Sequence, residues 1–269
     1  MPDDTISDET LYPLLRTRTL GRVFTFLEET GSTNQDLLLL AKKGAEEGRV
    51  IAAERQSAGR GRMERVWHSP PGVNLYFSLL LRPRQKDPSR IATLPLLAGL
   101  AIARAMENCA PGIQAGIKWP KDIWIGGRKG CGILCEMQIS KASEAAVVIG
   151  CGVNVNLTRE EMPLEIRDRA TSLRIEAGKS FRRVEVLAAL LNSFETLYDR
   201  WNLEGLAPLL PDLNGRDVLR GRRLTIALTH DPVTGIAEGI GPDGALLLRD
   251  DGGRLIPIYS GEAHICSIH

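Results

Sequence analysis

The sequence predicts an α+β protein, with a mixed sheet and covering helices followed by a small β-barrel. Three observations predict it. Beyond residue 70 most strands are joined by short turns, which favours mixed or antiparallel pairing over a doubly wound parallel sheet. Two long stretches read as helices: residues 91–108 are rich in alanine and leucine, and residues 181–201 are amphipathic. Composition changes near Leu213, after which short strands alternate with turns.

The elements follow in order. Residues 8–18 read as a short lead-in helix, and residues 21–27 alternate as a strand. Ser32, Thr33 and Asn34 precede a leucine-rich helix over 35–43 that stops at Gly44, with hydroxyls suited to the N-cap and glycine to the terminus. Residues 50–54 form a short apolar strand, and a glycine–arginine loop follows. Pro70, Pro71 and Gly72 set off a strand over 74–81. Residues 113–119 and 123–125 are strands broken at Pro120. Gly126-Gly127 makes a tight hairpin turn into a strand over 128–138, and residues 145–156 form one more. From Asp217 on, strands over 224–228, 235–240, 245–248, 255–259 and 263–267 are split by Asp231-Pro232, Pro242-Asp243-Gly244 and Asp251-Gly252-Gly253. That is about fifty residues of small barrel. The expected domains are 1–214 and 215–269.

Composition narrows the function. The chain of 269 residues suffices for one large domain and a small appendage. Charged residues make up 25% and net charge is +1, against a broadly basic nucleic-acid surface. The opening MPDDTISDET has neither the basic nor the apolar region of a secretory signal. No apolar run reaches the ~20 residues of a membrane helix. The expectation is a cytoplasmic protein that binds neither membrane nor DNA. Five cysteines, an odd number, read as reduced thiols. Cys131 and Cys135 have no second pair at zinc spacing.

Four clusters can carry chemistry. Gly31–Asp36 (GSTNQD) puts hydroxyls and amides at a helix start, which on their own read first as a plain cap and otherwise as a polar ligand site. Gln56 and the loop Gly59, Arg60, Gly61, Arg62 lead to Trp67; glycine permits close backbone approach and arginine offers a charged fork to carboxylate or phosphate. Residues 118–134 (KWPKDIWIGGRKGCGIL) gather Lys118, Lys121, Asp122, Arg128 and Lys129 on a strand–turn–strand unit. Strand alternation predicts that Lys129, Cys131 and Ile133 share one face. Residues 147–156 (VVIGCGVNVN) run an apolar strand into glycines and the pair Asn154, Asn156.

In this order the clusters resemble the biotin protein ligases (biotin–[acetyl-CoA-carboxylase] ligases), over nearly the whole chain. The closing resemblance lies in Gly235–Gly239, Gly244-Ala245-Leu246 and Ser260-Gly261-Glu262. The resemblance implies a catalytic domain like that of class II aminoacyl-tRNA synthetases and an SH3-like barrel. It is to the short form, without an N-terminal DNA-binding domain. It implies activation of biotin by ATP, with Mg²⁺, to biotinyl-5′-AMP. Transfer to a lysine of a biotin carboxyl carrier protein follows. Ser32, Thr33, Asn34 and Gln56 match biotin contacts. Arg60, Gly61 and Arg62 match the adenylate loop, and Lys129 and Gly132 the segment at the biotin carboxyl. Trp67, Lys118, Lys121, Asp122 and Asn154 fall on the ATP side, with Asp122 also the metal position. Arg62 and Lys129 are the expected catalytic pair.

The chain departs from the family pattern at Met63 and Glu64 in the loop, at Lys121 where asparagine is usual, and at Gly31. The expectation is an active enzyme with shifted ATP affinity or leakier retention of the adenylate. A lipoate or octanoate ligase shares the catalytic fold. A biotin-responsive repressor is the other alternative, disfavoured by only Arg16, Arg18 and Arg22 before the STN segment. A homodimer stays open, because a strand edge near Gly126-Gly127 could pair with a second copy or with the carrier. Restoring the usual residue with Lys121→Asn is expected to change the KM for ATP in pyrophosphate exchange. An unchanged KM would contradict a nucleotide-side role for Lys121.

Overall fold

Hydrogen-bond pairing sorts the strands into two sheets. The computed structural model describes residues 4–61, 65–85, 87–139, 145–227 and 232–266. In order these form α1 (Asp8–Leu11), β1 (Phe24–Thr30), α2 (Thr33–Lys42), β2 (Val50–Gln56), β3 (Leu75–Leu81), α3 (Pro88–Ile91) and α4 (Leu94–Cys109). Then come β4 (Ala115–Lys118), β5 (Asp122–Ile125), β6 (Arg128–Ile139), β7 (Ala145–Val153), α5 (Leu164–Arg167), α6 (Leu173–Ala177), α7 (Arg183–Glu204) and α8 (Leu210–Arg216). The last five strands are β8 (Arg223–Ala227), β9 (Val233–Ile240), β10 (Leu246–Arg249), β11 (Leu255–Ile258) and β12 (Glu262–Ile265).

The larger sheet runs β1-β2-β3-β7-β6-β5-β4, with β1–β2 parallel and the other pairs antiparallel. It is therefore mixed, as the short turns predict. The second sheet, β11-β10-β9-β8-β12, is antiparallel throughout.

Strand β7 shows how the larger sheet is used. Val147, Ile149, Cys151 and Val153 enter the main core with α4 and α7, while Ala146 and Val148 pack with Leu37 of α2 and with Ile51 and Leu80. Gly150 and Gly152 continue that second face and leave it without side chains. Between α4 and α7, Trp201 is fully buried and donates its indole N–H to Thr93 Oγ1 at 2.8 Å. Contrary to the expectation of no long apolar run, Pro88–Cys109 is long and apolar enough to cross a membrane, but 72% of its most apolar window is buried in the fold. Its larger part is α4, the core helix that backs the sheet.

The elements correct the sequence reading in places. The lead-in helix ends early, in a 3₁₀ turn at Tyr12–Leu14 that contains Pro13. The strand expected over 21–27 starts instead at Phe24. Helix α8, with Pro211 in its first turn, occupies the region read as a boundary. After it, Asp217 bridges to Ile117, and Val218 N–H donates to Ile117 O at 3.1 Å. The chain thus covers part of its own β4 edge, near the Gly126-Gly127 hairpin. The positions Leu228, Asp231 and Ser267 of the expected barrel lie outside the described residues.

Burial raises the Asp217 carboxyl to about 6, partly countered by the Leu219 N–H that it accepts. Its Oδ2 is buried without a partner. The folded pKa lies above the usual 3.8, so ionisation opposes folding. The penalty is absent below about pH 4, grows as pH rises to about 6 and then stays constant, on the order of 2–3 kcal/mol. Asp217→Asn keeps an acceptor for Leu219. It is expected to raise the urea midpoint over wild type more at pH 7.5 than at pH 4, and equal differences at both pH values would contradict this.

Candidate active site

A cavity of about 660 Å³ lies over the side-chain-free part of the sheet. The start of α2 and the end of β2 line one side, with Ser32, Thr33, Asn34 and Gln56. The β4–β5 turn lines the other, with Lys118, Lys121 and Asp122. Lys129, Gly132 and Asn154 lie at its walls, Trp67 and the glycine–arginine loop cross it, and Glu262 and His264 of β12 reach it from the second sheet.

On the α2 side the polar groups hold one another in place. Thr33 donates its N–H to Gln56 Oε1 at 3.0 Å, and its hydroxyl lies 3.2 Å from the same oxygen. Ser78 Oγ stands 2.7 Å from Thr33 Oγ1 and donates to Asn34 Oδ1 at 2.5 Å. Asn34 Nδ2 donates to Glu136 Oε2 at 2.7 Å. Gly150 makes room for this network, because a Cβ there would lie 2.0 Å from Asn34 Oδ1. Ser32 occupies the N-cap position, yet its side chain makes no capping hydrogen bond. The plain-cap alternative therefore fails for its hydroxyl, which is buried at the cavity.

Lys129 reaches the cavity by a route that alternation does not predict. Asp122 pairs with Gly132 and Ile123 with Cys131, but Trp124 pairs with Lys129, so Gly130 is an extra residue in β6. The bulge reverses the facing. Cys131 and Ile133 enter the core, whereas Lys129 joins Asp122, Trp124 and Gly132 on the cavity face. The expected shared face of Lys129, Cys131 and Ile133 is thereby corrected. Lys129 Nζ sits 2.8 Å from Asp122 Oδ1 and 5.4 Å from the centre of the Trp67 ring. Its main chain is pinned by Lys129 N–H to Arg169 O at 2.8 Å and by Thr171 N–H to Lys129 O at 2.9 Å.

Lys118 Nζ lies 4.7 Å over the Trp124 ring. Burial lowers its pKa, with Asp122 opposing the shift. Asn154 donates its Nδ2 to Thr171 O at 2.9 Å, so that donor serves the fold while the residue lines the cavity. Asn156 is structural: its amide spans the Phe181 main chain, donating to O at 2.8 Å and accepting from N–H at 2.9 Å.

The loop is paired to itself. Gly61 N–H donates to Arg65 O at 2.6 Å, and Trp67 N–H to Gly59 O at 2.9 Å. With the Gln35 amide oxygen turned toward Arg60, both terminal guanidinium nitrogens donate to it at 2.8 Å. Arg62, Met63 and Glu64 lie outside the described residues. The Trp67 indole rests on two glycines that pair across β6 and β7: a Cβ at Gly152 would lie 2.3 Å from Trp67 Cε2, and one at Gly132 would lie 2.8 Å from Cζ3. Trp67 Nε1 is buried without a partner. Sequence reasoning missed Ser78, Glu136 and the ion pair of Arg65 with Glu262. Only topology brings these together, although the glycines in GCG mark the floor.

Residues 26–154 match the biotin/lipoate A/B protein ligase family, and residues 221–264 match the biotin protein ligase C-terminal domain. The bifunctional ligase/repressor BirA of Bacillus subtilis is 37% identical over 254 residues, covering 93% of this chain and 76% of that protein. The biotin–[acetyl-CoA-carboxylase] ligase of Mycobacterium tuberculosis is 33% identical, covering 87% and 85%. The structure of the Aquifex aeolicus biotin protein ligase in complex with biotin and ATP superposes with a TM-score of 0.79 at 31% identity, covering 91% of this chain and 99% of that one.

The glycine floor predicts a mutant. Gly152→Ala is expected to lift the Trp67 indole and increase acrylamide quenching of tryptophan fluorescence. Quenching equal to wild type would contradict the packing of Trp67 on that floor.

Proposed function

The chain belongs to the biotin protein ligases of the biotin/lipoate A/B protein ligase family, and from that premise we propose how its site works. It is an ATP-dependent ligase that activates biotin to biotinyl-5′-AMP and passes the biotinyl group to a lysine of a carrier protein. The observation that carries the site assignment is Lys129 on the cavity face, between the buried polar network of α2 and the cationic β4–β5 turn.

Ser32, Thr33, Asn34 and Gln56 suit the neutral ureido head of biotin, which needs donors and acceptors already held in place. Lys118, Lys121, Asp122 and Asn154 take the nucleotide side, with Trp67 closing over the adenylate. The biotin carboxylate attacks the α-phosphorus of ATP; the new O–P bond forms as the bond to pyrophosphate breaks. Two anions must meet, so Lys129, Arg60 and Arg62 offset their repulsion. Gly61 lets the loop backbone approach, and Gly132 leaves space beside Lys129. Asp122 is the carboxylate at hand to hold Mg²⁺, which would neutralise part of the triphosphate charge when bound. Asp122 already faces Lys129, so it fits a shared role better than that of sole metal ligand.

In the second half-reaction a neutral lysine amine of the carrier attacks the anhydride carbonyl and AMP leaves. Asp122 can orient that amine. The carrier is the biotin carboxyl carrier protein of acetyl-CoA carboxylase or a related carboxylase, and the ATP requirement suits the cytoplasm. Residues 1–214 are read as a catalytic domain like the class II synthetases and 215–269 as an SH3-like barrel.

The test is ATP–pyrophosphate exchange with biotin, lipoate or neither. Biotin alone is expected to support exchange. Lys129→Ala is expected to lower it by roughly 10²–10³-fold, the usual loss for a charge-stabilising donor. Lipoate-dependent exchange would favour the alternative ligase, and full activity in Lys129→Ala would contradict the assigned role.

A further inference from the structure

Among the described residues, the C-terminal sheet touches the loop at a well-formed contact. Arg65 donates from both terminal guanidinium nitrogens to Glu262, at 2.9 Å to Oε1 and 2.7 Å to Oε2. The partners are 197 residues apart in sequence. The geometry is a two-pronged fork on a carboxylate, more specific than a single surface contact. Arg65 also holds the depression of the Glu262 carboxyl below the usual carboxylate range, so both groups stay charged.

The contact matters because of what Arg65 carries. Its carbonyl receives the Gly61 N–H, and its neighbour Val66 pairs with Arg60. Two residues on, Trp67 lies over Gly132 and Gly152 beneath Lys129. Glu262 sits on β12, an edge strand of the second sheet, and lines the same cavity. A carboxylate on Arg65 also offsets its charge, as Asp122 does for Lys129.

We propose that Glu262 is a positioning residue for the ligase reaction: the C-terminal sheet holds Arg65, and through it the paired base of the glycine–arginine loop, in register over the cavity. This rests on the ligase reading for its catalytic consequence but not for the tether itself. The second sheet then acts on chemistry without touching the reacting atoms. The pair is partly exposed, with side-chain exposures of 65% and 31%, so its effect is modest.

Two readouts test it in the full chain. The first is limited trypsin cleavage after Arg60 or Arg62 of the loop, with cuts after Arg65 identified by fragment mass and left out, because the reversed pair removes that site. Without substrates, Glu262→Ala is expected to speed loop cleavage by about two- to five-fold, the scale of an exposed ion pair. The charge-reversed pair Arg65→Glu with Glu262→Arg is expected to restore slow cleavage. The second is release of enzyme-bound biotinyl-5′-AMP, followed after removal of free ATP. Glu262→Ala is expected to speed release by a similar factor, and combining it with Arg65→Ala adds nothing further. Cleavage and release equal to wild type in Glu262→Ala, or effects of the single variants that multiply, would overturn the tether. A cleavage phenotype in a protein that performs no biotin-dependent exchange would instead keep the tether and overturn the ligase reading.

Discussion

The site depends on missing side chains. Gly132, Gly150 and Gly152 leave a bare strip on one face of β6 and β7. An alanine at any of the three would place its Cβ within about 3 Å of Asn34, Trp67 or Lys129, so the polar network and the indole could not keep their seats. The opposite face of the same strands carries Ile133, Ile149, Cys151 and Val153 into the core. One pair of strands thus anchors the fold on one side and opens a ligand-sized space on the other. The strands need no break, because α4 and α7 supply the packing that the glycines forgo.

Around that strip the charges are arranged in depth. Lys129 leans on Asp122 and over Trp67, and Lys118 lies over Trp124, so both cations are held at the cavity against aromatic faces. Both are partly withdrawn from water, which strengthens their pull on an arriving anion. The α2 side is different in kind, with hydroxyls and amides already bonded to one another and set to read a neutral polar head. A cavity with a neutral-polar end, a cationic end and a lysine between them suits the joining of a ureido acid to a nucleotide.

Much of this is legible in the residues. The mixed sheet follows from short turns, and the order of STN, GRGR, KWP and GVNVN carries the family. The residues of α2, Gln56, Trp67 and Lys129 do meet in one cavity. What sequence could not supply was geometry set by pairing. The bulge at Gly130 turns Lys129 away from the face that simple alternation assigns, and no single-residue pattern announces it. Asn154 and Asn156 look alike in GVNVN, yet Asn156 is taken up wholly by the Phe181 main chain. Arg65 and Glu262 lie at opposite ends of the chain, and only the docking of the second sheet makes them partners. Helix α8 is not legible in the sequence, because its short run, with Pro211 at the start and Gly215 inside, reads as a linker.

The central claim is that one cavity joins the two substrates and keeps the product. The most direct measurement is native mass spectrometry of the protein after incubation with biotin, ATP and Mg²⁺ and removal of free ligands. The account predicts one biotinyl-5′-AMP retained per chain. Protein carrying only unreacted biotin or ATP, or no ligand, would contradict it.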